Sequence, residues 1–168
     1  MDVFIRAEDL ADFPSIREVN RLAFGGDAEA RLVDALRAGG YVRLSLVAVV
    51  DGEIAGHILF SRLPILTANG VVESLALAPL AVHPSRQRCG IGAALVREGL
   101  RICAEQGHRI VVVLGHREYY PRFGFSPRLA EQLEAPFRGD SFMALELAPN
   151  AMSGVFGRVE YPEPFSHV

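Results

Sequence analysis

Gln87-Arg88-Cys89-Gly90-Ile91-Gly92-Ala93 is the stretch on which the reading of this chain turns. It lies between a run with strand character, Val71–Val82, and a run with helical spacing, Gly90–Gln106. In the latter Ile91, Leu95, Leu100 and Ile102 take the apolar positions. Glycines at a helix start let a ligand approach the backbone, because no Cβ intervenes. The first N–H groups of a helix lack intrahelical partners and sit at the positive end of its dipole. The stretch is therefore suited to an anion, phosphate oxygens above all. Arg86 and Arg88 add positive charge.

Two common phosphate motifs do not fit. No Gly-Lys-Ser/Thr follows the glycines, which excludes a P-loop. The dinucleotide fingerprint fails as well: Leu95 stands where its third glycine belongs, and Val113-Leu114-Gly115 offers no acid for a ribose.

Working outward, Val3–Arg6 reads as a short strand. Asp9 is a cap candidate for a helix through Ile16, Val19 and Leu22, stopped by Gly25-Gly26. Glu29–Ala38 is a second helix. Asp51-Gly52 joins Leu44–Val50 to Ile54–Leu63 as a hairpin. Ile110–Leu114 is an unbroken apolar run, the mark of a buried strand. Arg117–Phe123 is a short helix or turn, and Phe142–Leu147 and Val155–Tyr161 supply two late strands. The order β-α-α-β-β-β-α-β-α-β-β predicts an α/β (α+β) domain: a mixed, mostly antiparallel sheet of six to seven strands with helices on both faces. Its one βαβ unit, Val71–Leu114, makes a parallel pair with a right-handed crossover; every other pairing is expected to be antiparallel. Pro79 cannot donate to a ladder, so a bulge or a splayed edge is expected there.

The 168 residues fit one domain, 1–168. Half are hydrophobic and 22% charged, which is globular composition. A net charge of −3 and the lack of a basic-aromatic array argue against a nucleic-acid partner. Cys89 and Cys103 are too few for a disulfide framework, and no histidine spacing suggests a metal. No signal-like start and no spanning apolar run is visible, so no membrane role and a cytoplasmic location are expected. Homodimerisation is compatible with this reading.

Three elements together resemble the GNAT superfamily of N-acetyltransferases. Gln87-Arg88-Cys89-Gly90-Ile91-Gly92 is similar to its Gln/Arg-x-x-Gly-x-Gly/Ala signature. Leu80-Ala81-Val82-His83-Pro84 is similar to the strand end before that signature, and Tyr120-Pro121-Arg122-Phe123-Gly124-Phe125 to a later Tyr-x-x-x-Gly-Phe element. The tail Gly154–Tyr161 resembles a bacterial subgroup of uncharacterised members. The resemblance implies a V-shaped splay between strands 4 and 5 that receives acetyl-CoA as cosubstrate. It implies pantetheine pairing along Leu80, Ala81 and Val82, in the manner of an added strand. It places the pyrophosphate on Gln87, Arg88, Cys89, Gly90, Ile91, Gly92 and Ala93, with His116 and Tyr119 as further cofactor contacts.

Acyl transfer to an amine needs one proton removed from the amine and one delivered to the departing thiolate. The resemblance gives the second task to Tyr120. A tyrosine is no stronger an acid than the product thiol, so its service is a hydrogen bond as much as a proton. Glu73, on the strand of the acyl-binding edge, is the candidate base; His83 and His116 are alternatives by their ordinary pKa. Cys89 has no adjacent base, which speaks for direct transfer to a primary amine of a small molecule or peptide. The rival reading is a noncatalytic CoA-binding module on the same fold.

Overall fold

The computed structural model describes residues 1–136, 139 and 141–168. Its strands are β1 (Phe4–Ala7), β2 (Val42–Val50), β3 (Glu53–Thr67), β4 (Gly70–Val82), β5 (Ile110–Leu114), β6 (Leu133–Glu134), β7 (Phe142–Glu146) and β8 (Gly157–Val159). Its α-helices are α1 (Phe13–Phe24), α2 (Ala28–Ala38), α3 (Ile91–Glu105) and α4 (Pro127–Ala130). The strand order is β1-β2-β3-β4-β5-β7, with β8 pairing with β3 and β6. This is the expected mixed, mostly antiparallel sheet.

Two details correct the expectation. Among the described residues the sheet has eight strands, because the two-residue β6 is too short to show a period in sequence. And β6 pairs parallel with β8, a second parallel ladder besides β4–β5. The β4–β5 ladder is itself brief: only Leu75–Val111 and Ala76–Val112 are in register. β4 runs on to Val82 while β5 turns its full length to β7. The ladder thus ends at Ala76, before Pro79 is reached.

The chain forms two compact units. The first holds Met1–Ser61, Ala78–Gly99 and Glu163–Val168. Here Asp51 and Gly52, at φ 52° and 77°, turn β2 back into β3. Asp9 caps a 3-10 turn, Leu10–Asp12, that leads into α1, and Gly25 ends α1 in the left-handed region. Ile16, Leu32, Val33, Leu36, Val47 and Leu59 make an apolar cluster that holds α1 and α2 on β2 and β3. A fully buried Leu or Ile contributes about 1.5–3 kcal/mol, and an exposed ion pair such as Arg17–Asp34 about 0–1. The cluster, not the surface charges, therefore holds the helix pair.

In the same unit α3 lies close on the sheet because glycine occupies both contact points. A Cβ at Gly56 would sit 3.0 Å from Ile91 and from Leu95, and one at Gly99 would run into the Phe60 ring. The second unit holds Arg62–Leu77 and Leu100–Pro162. Its centre is β5, whose Ile110–Val113 are buried and whose five residues all pair with β7. Gly157 presses on the Leu66 backbone, which lets β8 close on the end of β3.

Candidate functional site

In the first unit the loop between β4 and α3 is open. A 3-10 turn, Pro84–Arg86, is capped by His83, whose Nδ1 accepts from the Ser85 amide at 3.1 Å. Gln87 Nε2 donates to Val82 O at 3.1 Å and ties the loop to the strand end. Arg88 and Gly90 then take φ of 62° and 85°. These two left-handed residues turn the chain so that Gly90 O receives the first α3 bond, from Ala94 N at 3.0 Å. The amides of Ile91, Gly92 and Ala93 head the helix. Ile91 and Leu95, fully buried, pin its first turn at Gly56.

The two arginines differ. Arg86 reaches Asp51 at 3.1 Å, while Arg88 has no hydrogen bond or ion pair among the described residues. Along the end of β4, Ala78, Leu80 and Val82 are half-buried and alternate with buried Pro79 and Ala81. Cys89 is exposed, its thiol 3.5 Å from Gln87 O.

In the second unit β5 ends in a corner built around Tyr120. His116 O accepts from the Tyr119 and Tyr120 amides at 3.0 and 3.2 Å. The Tyr120 ring lies directly on Gly115, where a Cβ would collide with it. It stands edge-on to Tyr119, Phe123 and Phe125, at centroid distances of 5.1, 6.3 and 5.7 Å. Gly124, at φ 104°, ends the 3-10 turn Tyr120–Phe123, and Phe125 is buried. The Tyr-x-x-x-Gly-Phe spacing is thus the length of one tight turn between two packed rings. Burial pushes the Tyr120 phenol up to about 12, with Tyr119 adding to the shift. Its hydroxyl has no hydrogen-bond partner among the described residues, yet it is not sealed from solvent. The group is a neutral donor with its proton unassigned.

The family model for the acetyltransferase (GNAT) family matches residues 13–125. A curated relative, the uncharacterised N-acetyltransferase YhbS of Escherichia coli (strain K12), is 38% identical over 167 residues, covering 98% of this chain and 99% of that protein.

The chain belongs to the GNAT family of acetyltransferases.

Two solved family members are similar over nearly the whole chain. E. coli YhbS in complex with CoA superposes with a TM-score of 0.90 at 37% identity, covering 98% of this chain and 92% of that one. A GNAT family acetyltransferase from Brucella melitensis in complex with acetyl-CoA gives 0.82 at 36% identity, covering 98% of each.

The other residues singled out in the sequence fall as follows. Glu73 accepts from Arg62 at both oxygens, at 2.9 and 2.8 Å, on an exposed part of the second unit. Glu73 is thus an exposed carboxylate ion-paired with Arg62. His116 is exposed; Tyr119 is half-buried, with the Arg122 guanidinium 4.6 Å over its ring. Cys103 is buried, and burial pushes its thiol up to about 12, which removes it from nucleophilic chemistry. Among the described residues no three His, Cys, Asp or Glu side chains converge as a metal site, and no helix is long and apolar enough to cross a membrane.

One polar cluster escaped the sequence reading. Glu8, Asn20, Ser45 and His57 meet in the interior of the first unit. The readable signal was parity: Ser45 and His57 share the inward face of β2 and β3 with Val47 and Leu59.

Proposed function

We propose that the chain is an N-acetyltransferase that moves an acetyl group from acetyl-CoA directly to a primary amine of a small molecule or peptide. One observation carries this reading: an open, glycine-bearing helix start with an unengaged Arg88, in a chain closely similar to two proteins solved with CoA and acetyl-CoA. In the first unit the amides at Gly90–Ala93 and the Arg88 guanidinium receive the pyrophosphate, and the half-buried Leu80–Val82 edge receives the pantetheine amides. His116 and Tyr119 are assigned further cofactor contacts. In the second unit Tyr120 donates a hydrogen bond to the thiolate as the C–S bond breaks.

The raised phenol pKa refines that last role. A group near 12 does not hand its proton outright to a thiolate whose conjugate acid lies near 8.5. It holds the developing negative charge by a hydrogen bond that strengthens towards the transition state, and solvent completes the proton transfer. Glu73, ion-paired with Arg62, is the candidate to receive the amine proton, directly or through a water. The whole of 1–168 works as one GNAT domain in this reading, in the cytoplasm, without metal or nucleic acid.

The test is a thermal-shift panel with acetyl-CoA, CoA, NAD and ATP, followed by thiol release over polyamines, amino acids, aminoglycosides and peptides. Stabilisation by CoA species alone, with thiol release on an amine, is expected. CoA binding with no turnover on any amine would favour a noncatalytic module.

A further inference from the structure

We propose that the Asn20–His57–Ser45–Glu8 chain is an acid-labile latch: a proton taken up by His57 breaks its bond to Asn20 and loosens α1 on the sheet. The inference concerns the first unit alone and does not rest on acetyl transfer.

The directions of the hydrogen bonds carry it. Asn20 Nδ2 donates to Ile16 O at 3.0 Å and lies 3.1 Å from His57 Nδ1. Both contacts use the same nitrogen, so turning the amide over would lose the first in order to reverse the second. His57 Nδ1 is therefore the acceptor and Nε2 carries the ring proton. Nε2 then donates to Ser45 Oγ at 2.9 Å, and Ser45 Oγ donates in turn to Glu8 Oε1. Glu8 ends the chain, clamped at both oxygens by Arg37 of α2 at 2.9 and 2.8 Å. Every donor points the same way, from α1 through β3 and β2 to a carboxylate neutralised by α2.

This polarity also excludes a hydrolytic reading of the Ser45–His57 pair. A base for a serine nucleophile needs a free lone pair at the nitrogen facing the hydroxyl, and here that nitrogen bears the proton.

A second proton on His57 has one place to go, Nδ1, where it would face the Asn20 N–H donor to donor. Asn20 and His57 are fully buried, so water is not at hand to relieve the clash. The charged groups around the ring oppose one another. Glu8, 4.0 Å from Nε2, favours the imidazolium, and Arg37 disfavours it. The facing end of β4, Ala78–Val82, has no titratable side chain, and the charged residues Arg17, Glu18 and Arg21 of α1 pair at its surface. Burial dominates and pushes His57 down to about 3. The sign follows. The unfolded chain takes up this proton near the ordinary value of 6.5 and the folded chain does not. The stabilisation is complete above that value and declines as pH falls towards 3.

The experiment uses the full chain with 15N-labelled histidine, followed by NMR from neutral pH to pH ~4, with amide hydrogen exchange of Phe13–Phe24 at each step. At neutral pH the His57 ring should be neutral with its proton on Nε2. It should stay so well below the ordinary histidine value of 6.5. On further acidification, α1 protection should fall at least tenfold before β2 and β3 lose theirs. Asn20→Asp replaces the donor by an acceptor. It should hold His57 protonated at neutral pH and abolish the acid-triggered loss of α1 protection. A proton on Nδ1, titration of His57 near the ordinary value of 6.5 while α1 stays protected, or unfolding of α1 and the strands in a single step would overturn the proposal.

Discussion

At Gly90 the chain is open: φ is 85°, and a Cβ would meet nothing within 4 Å. At Gly115 the backbone is outside the left-handed region, and a Cβ would strike the Tyr120 ring. One glycine is demanded by conformation, the other by space. Both stand in motifs read from the sequence, and there they look alike. The difference separates an open backbone from a packed one. The loop in the first unit keeps its backbone clear at Gly90. The corner in the second unit seats the Tyr120 ring directly on Gly115.

Substitutions break the comparison in graded ways. Gly90→Asp should have the largest effect, placing a carboxylate where the pyrophosphate is expected. The stabilisation of about 2.7 kcal/mol that a ligand gives at 100 times its Kd should vanish in a thermal shift with CoA. Gly90→Ala sharpens the point. It should cost about 1–2 kcal/mol of stability, the penalty of a left-handed alanine, and keep most of the CoA affinity. Equal CoA binding by wild type and Gly90→Asp would remove the loop from the site.

Tyr120→Phe comes next, with a fall in kcat of about 100-fold, the lower end for acid assistance, and little change in CoA affinity. Because the phenol is pushed up to about 12, the ratio of wild-type to mutant rate should stay flat to roughly pH 11. A ratio that collapses near pH 10 would mean an unshifted, solvated tyrosine. Gly115→Ala should destabilise the protein by about 1–3 kcal/mol through overpacking. It should also lower kcat by displacing the ring, and do so much less in the Tyr120→Phe background, which a double-mutant cycle measures. Cys89→Ala should be the mildest, within about 0.5 kcal/mol of wild type and with turnover kept. An acetylated Cys89 caught by mass spectrometry would contradict direct transfer.

The sequence was legible where local chemistry decides. The Asp51-Gly52 hairpin, β5 and the glycine loop all formed where composition and turn residues placed them. β3 runs to Thr67, past the expected end at Leu63, because the β8 pairing holds its far end, and no local pattern announces that. Glu73 stands out in the sequence by its strand position alone. Its bidentate partner Arg62 comes from the neighbouring strand and was invisible to a residue-by-residue reading. His57 is hidden in the sequence for a related reason. A histidine inside Ile54–Phe60 reads as a break in an apolar run until Asn20 and Ser45 are brought to its two nitrogens.

The end of the described chain has a consequence for how the first unit assembles. The 3-10 turn Glu163–His167 lies against α2, and Phe165 packs on the cluster formed by Ile16, Leu36 and Leu59. Residues from opposite ends of the sequence thus share one core, and loop closure must precede the contact. Such non-local pairing slows folding. Until Glu163–Val168 has docked, the α2 face carries exposed apolar surface, so a chain cut before Glu163 should be retained by chaperones or aggregate although every strand of the sheet is still encoded.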